Sequence, residues 1–198
     1  MGQLSPAQSS AKTPERDRIQ QKLIFAQGVE ALFQKALSNR MTPLLKDRLL
    51  KAGLNLDQKL LPAYSTDLWA LFIELAAEEL YPDLERPLAR SELGNQVVYG
   101  FGETIVGRAV SPMLKLLGPK RTLARTQQNF RSGNNYTEAR MTELSKSSVD
   151  LWMNEERPLQ DFTRGMILGG LRLVSAQNPV VEPIEAHPEW VTFRCSWD

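Results

Sequence analysis

One cysteine and one histidine are all that 198 residues supply of two side chains that commonly act as nucleophiles, bases and metal ligands. A lone Cys195 rules out an internal disulfide and points to a reducing compartment, and one thiol with one imidazole leaves only carboxylates to complete a metal site. No metal and no cofactor is therefore expected. Any Ser-His or Cys-His mechanism would have to use His187, which precedes Pro188 in a predicted hairpin turn, whereas Cys195 alternates with residues that face a core. No run approaches the roughly 18 apolar residues of a membrane span, and the opening MGQLSPAQSSAKTP lacks the apolar stretch of a signal peptide, so a cytoplasmic location is expected. Gly100, Gly102 and Gly107 fit neither a dinucleotide-binding fingerprint nor a phosphate loop. Nucleic acid is not expected as a partner either: the sequence pI is about 7.8 and no helix-turn-helix, zinc-finger or RNA-recognition signature occurs.

What is present is an ordinary globular balance, 42% hydrophobic and 24% charged, with one local imbalance. Between Thr104 and Thr137 stand Arg108, Lys115, Lys120, Arg121, Arg125 and Arg131 and no acid, in a chain of net charge +1. The remainder is therefore net acidic, and charge separated along a sequence creates a field that an anionic group can feel. The window centres on Gly118-Pro119-Lys120-Arg121, where a helix is predicted to begin and its free N–H groups would face an anion. Arg121 and Arg125 fall one turn apart, and Arg131 leads into the polar loop Ser132 to Asn135. Lys120, Arg121, Arg125, Arg131, Asn135 and Tyr136 are the candidate ligand-binding residues. The competing reading is a solvated face paired with the chain's own acids, such as Glu78, Glu79 or Glu138.

Periodicity gives the elements. Residues 1–14 read as a disordered tail, with a short helix start at Thr13-Pro14-Glu15, and 15–198 as a single domain. Helical spacing runs from Gln27 through Leu37, from Thr42-Pro43 to Gly53, and from Thr66-Asp67 to Tyr81-Pro82. Two or three further helices are predicted up to Arg131, broken at Ser111-Pro112 and Gly118-Pro119. The period then changes to two at Val149, Leu151, Met153 and again at Val191, Phe193, Cys195, with a helix from Leu159 to Gln177 between. The expected fold class is α+β: a mainly helical first two thirds, then a four-stranded antiparallel sheet of two hairpins, turning near Ser145 to Ser147 and near His187, covered by that helix.

Three features remain. Gly165, Gly169 and Gly170 on the sheet-covering helix each cost about 1 kcal/mol relative to alanine, which is offset either by close packing, the expectation, or by room for a ligand. Trp152 projects from the polar side of its strand, so a helix of the chain is expected over it. Glu74 and Glu78 share a helix face and are expected to meet solvent.

The succession Leu93-Gly94, Tyr99-Gly100, Thr104, Gly107-Arg108, then GPKRTLARTQQNFRSGNNY from Gly118 to Tyr136, closed by Trp197, resembles a myxobacterial paralogous family of proteins of about this length and of unassigned function. The resemblance runs from about Leu23 to Trp197 and implies a bacterial cytoplasmic protein from an expanded set, whose copies keep one scaffold and vary ligand or partner. It brings no catalytic residues. More distantly, the order of elements resembles the ligand-binding fold of four-vinyl reductase domains, haem nitric-oxide/oxygen-binding domains and Golgi transport Bet3-like proteins. The haem domains use Tyr-x-Ser-x-Arg; this chain has Tyr136 and Arg140 but Glu138 at the serine position, an acid that would repel propionates, and His187 lies among strands. The leading expectation is a non-enzymatic regulatory or sensory module for a small anionic ligand or an acidic protein surface, with a homodimer allowed and no membrane. The alternatives are an enzyme on a small anionic substrate, with carboxylates or Tyr136 as acid and base, and a structural or oligomeric protein with Trp69 or Trp152 at its contact.

Overall fold

Helix starts are fixed by short-range chemistry. The Leu45 N–H donates to Thr42 Oγ1 (3.0 Å) and Pro43 takes the first helical position, starting α2 (Pro43–Lys51). Ser65 Oγ likewise accepts from Leu68 N at the head of α3 (Thr66–Leu80), and Thr104 Oγ1 accepts from Gly107 N at the head of α5 (Ile105–Ala124). The computed structural model describes residues 21–198, so the predicted tail and the helix start at Thr13 lie outside the described residues.

The helical part comprises α1 (Ala26–Val29), which continues as a π-helical stretch over Glu30–Ala36, then α2, α3, α4 (Arg86–Glu103), α5 (Ile105–Ala124) and α6 (Thr126–Phe130). The predicted break at Ser111-Pro112 is absent. Pro112 sits inside α5 on its exposed side, where water can take the carbonyl that loses its N–H partner. The break at Gly118 is real, with φ 73° and ψ 173° in mid-helix. Two three-residue strands, β1 (Leu23–Phe25) and β2 (Ala63–Ser65), pair antiparallel beneath the helices.

The C-terminal third is the expected antiparallel sheet, in the order β3 (Ala139–Glu143), β4 (Ser148–Met153), β6 (Val191–Ser196), β5 (Val180–Ala186). Alternation places Val149, Leu151, Met153, Val191, Phe193 and Cys195 on one buried face, covered by α7 (Arg157–Leu173). Trp152 on the other face is stacked on by its cross-strand partner: the Arg140 guanidinium lies 4.8 Å from its ring centroid. Trp69 is buried, packed edge-on against Phe33 and Phe162, which removes it as a surface contact.

Two hydrophobic clusters result. One gathers α1 and its π-helical extension with α2, α3 and α4; the other joins the sheet to α7 and Leu123. The helices α4 and α7 cross at their glycines: a Cβ on Gly94 would lie 1.9 Å from Phe162 O, and one on Gly165 would lie 1.8 Å from Ser91 O. Arg90 ties this crossing together, donating to Glu74 (2.9 Å) and to Asp161 (2.9 and 3.1 Å). Glu74 and Glu78 are thus ion-paired, Glu78 with Arg48 and Arg86.

Candidate functional site

The seam between the two clusters is not filled. A pocket of about 160 Å³ opens there, walled by α1 and its extension (Gln27, Ala31), α4 (Val97, Phe101), α5 and α6 (Thr122, Phe130) and α7 (Met166, Gly170). Its surface is almost wholly apolar, and no lining residue is ionisable. Gly170 contributes space, since a Cβ there would meet nothing within 4 Å. The three glycines therefore divide: Gly165 and Gly169 approach the backbone of α4, while Gly170 borders the void. Two of the lining residues each have a side-chain oxygen, Gln27 Oε1 and Thr122 Oγ1, that is buried without a hydrogen-bond partner. Such orphans cost about 1–3 kcal/mol each unless something satisfies them.

The basic residues occupy the opposite side of the same segment. Thr122, Leu123 and Thr126 turn inward, while Arg121 and Arg125 are exposed. Lys120 is neutralised by Glu143 at 2.6 Å. Arg131 donates from Nε to Thr137 O (2.8 Å) and shares a shallow, open groove with Arg125, Gln127, Gln128 and Ser132. Among the described residues no ion pair engages Arg121 or Arg125. Pro119 at the restart of the helix past Gly118 has no N–H to offer an anion.

Asn135 and Tyr136 spend their polar atoms within the chain. Asn135 Oδ1 accepts from Leu23 N (2.8 Å) and its Nδ2 donates to Gln21 O (3.0 Å), fastening the loop to β1. Tyr136 donates from its hydroxyl to Glu155 Oε1 (3.2 Å), and burial beside that carboxyl raises its pKa above the ordinary tyrosine value. His187 is exposed in the β5–β6 turn and stacks on Trp190 at 5.4 Å. Burial pushes the Cys195 thiol up to about 12, so it is an unreactive core residue. No cluster of three metal-ligating side chains exists among the described residues. No helix among them is long and apolar enough to cross a membrane.

Residues 22–198, which hold both hydrophobic clusters and the pocket, match the model of the family described as "Protein of unknown function (DUF2378)". The chain belongs to that family. For this DUF2378 member the curated proteins give no match. Solved structures do: an H-NOX protein from S. oneidensis in the Fe(II) ligation state is similar at 10% identity, covering 87% of this chain and 95% of that one, with a TM-score of 0.68. A Cs H-NOX carrying 4-cyano-L-phenylalanine gives 13% identity, coverages of 88% and 97% and a TM-score of 0.67. The T. tengcongensis H-NOX gives 13%, 86%, 95% and 0.65. At such identities the likeness is one of fold, and it agrees with the element order. Gln27 and Thr122 of this family member carry no signal in the sequence, because an unpaired atom arises only from packing. Gly170 alone signalled the void.

Proposed function

We propose that this protein is a non-enzymatic sensory module that holds a small molecule in the pocket at the seam and turns its basic face toward an acidic protein surface. The observation that carries the reading is the pocket itself, apolar and joining two cores. Because its wall contains no ionisable side chain, no group there can move a proton, which weighs against the enzyme alternative. A ligand contacting α4, α5 and α7 at once would bias how the helical part sits on the sheet, the element a sensor needs.

Haem, which figures in work on H-NOX proteins, does not fit this chain. The pocket is well below the roughly 300–1,000 Å³ of a site for a drug-sized molecule, and haem is larger than most of those. His187 is remote in a turn, Tyr136 is bonded to Glu155, and Arg140 is stacked on Trp152, so neither an imidazole ligand nor a propionate clamp is assembled.

The outward half of the reading rests on charge. Arg108, Lys115, Arg121 and Arg125 are exposed beside Ile105, Met113 and Leu116, apolar residues 53–87% exposed, in an acid-free stretch. Such a mixture suits a partner that is acidic with an apolar centre. Native mass spectrometry of protein purified from its own host tests the ligand half. A retained small-molecule mass is expected in the wild type and its loss in Gly170→Leu, which fills the pocket; a wild type that carries no added mass over its own sequence speaks against the reading.

A further inference from the structure

Resting on the pocket reading above, we infer that the ligand is a small uncharged hydrocarbon, held by shape and dispersion without a hydrogen bond to the wall. Size comes first. A dry engineered cavity of about 150 Å³ lined by aliphatic and aromatic residues accepts benzene, so about 160 Å³ admits a molecule of roughly six to ten heavy atoms.

Charge comes next. An anion or a cation placed among Val97, Phe101, Leu114 and Leu171 would be stripped of water with no counter-charge, because no lining residue is ionisable. The ligand is therefore uncharged, and the basic face serves something else.

The polar residues of the lining exclude a hydrogen-bonding ligand as well. Thr126 Oγ1 donates to Leu123 O (2.7 Å), Ser132 Oγ to Asn129 O (2.6 Å) and Asn129 Nδ2 to Thr122 O (3.4 Å), so these groups are turned back onto the chain. Gln27 Oε1 and Thr122 Oγ1 are sealed within the packing and present no usable surface to a molecule in the pocket. A hydroxyl, carbonyl or amine carried inside would give up its water to a wall that returns nothing. What the wall does present is carbon and sulfur: the rings of Phe101 and Phe130 and the thioether of Met166, polarisable groups that attract any close-fitting apolar surface. A hydrocarbon is the class that loses no hydrogen bond on entry and gains all of those contacts.

Ethylbenzene, benzyl alcohol and benzoate, nearly equal in size, separate these points when titrated into the full chain by calorimetry with parallel thermal melts. Ethylbenzene is expected to bind and to raise the melting temperature. Benzyl alcohol is expected to bind at least tenfold more weakly, since its hydroxyl is desolvated without a partner, and benzoate not to enter the pocket. Gly170→Leu, which places a side chain in the void, is expected to abolish ethylbenzene binding; should that variant fail to fold, Gly170→Met makes the same comparison with a more flexible side chain. Binding of the alcohol or of benzoate as tight as that of ethylbenzene, with loss in the filled variant, overturns the hydrocarbon assignment and leaves the pocket reading intact. Binding of none of the three overturns both.

Discussion

Glu155 is 4% exposed at the step from β4 into α7, yet it carries an ionisable group. Its carboxylate accepts from Tyr136 Oη (3.2 Å), Thr163 Oγ1 (3.0 Å) and Glu156 N (3.3 Å). Lys22, held at 2.7 Å by Glu156 and 5.5 Å from the Tyr136 ring centroid, also favours the charged form. Desolvation outweighs all of these and raises the carboxyl to about 7 from an ordinary 4.5. Between those values the folded chain holds a proton that the unfolded chain has released, so the contribution of Glu155 to stability is greatest below about pH 4.5 and declines as pH rises to about 7. The loss from this one group is up to about 3 kcal/mol. Urea melts across that range are expected to show the decline in the wild type, and Glu155→Gln is expected to flatten it. Equal pH profiles for the two proteins would remove Glu155 as the cause. Tyr136 was visible in the sequence through its spacing to Arg140; its true partner lies 19 residues away in another element, and only the packing of α7 brings the two together.

Helices and strands were legible because their causes are local. Thr42-Pro43 caps α2 within three residues, and the period-two pattern at Val149 and Val191 needs no knowledge of what packs on it. The paired β1 and β2 are three residues each, too short to show a period, and they are held by chain distant in sequence, as in Phe25 N to Gly133 O (2.8 Å). Pro112 misled because a proline breaks a helix only where its freed carbonyl has no other recourse. The glycines of α7 were legible as a choice between packing and space, and both answers hold at different positions. Gly165→Ala forces a methyl to within 1.8 Å of a backbone oxygen on α4, so the helices must part. That overpacking is expected to cost more than about 3 kcal/mol. Gly170→Ala meets open space and is expected to be neutral or stabilising by up to about 1 kcal/mol, from the gain in helix propensity. Paired denaturant titrations check this, and similar losses for both would refute the assigned crossing geometry.

At the scale of the molecule the two halves of the 104–137 segment do different work, and one comparison can separate them. The inner half closes the pocket through Thr122, Leu123 and Thr126, so its changes should read out in ligand affinity. The outer half carries charge that, apart from Lys120 with Glu143, no ion pair among the described residues absorbs. Exposed charges of this kind contribute little to folding, typically within about 0.5 kcal/mol per substitution. Arg121→Glu with Arg125→Glu is therefore expected to lower the melting temperature by no more than about 4 °C, while leaving any small-molecule mass retained by the pocket unchanged. The same double reversal is expected to weaken binding of a polyglutamate peptide at low ionic strength, and added salt should do likewise to the wild type as the Debye length shrinks. A collapse of the melting temperature would make the arginines part of the fold. An unchanged peptide affinity with an unchanged melt would leave the basic face without a role in recognition, because exposed guanidinium groups that no ion pair engages among the described residues should be felt by a flexible polyanion brought within about 10 Å of them.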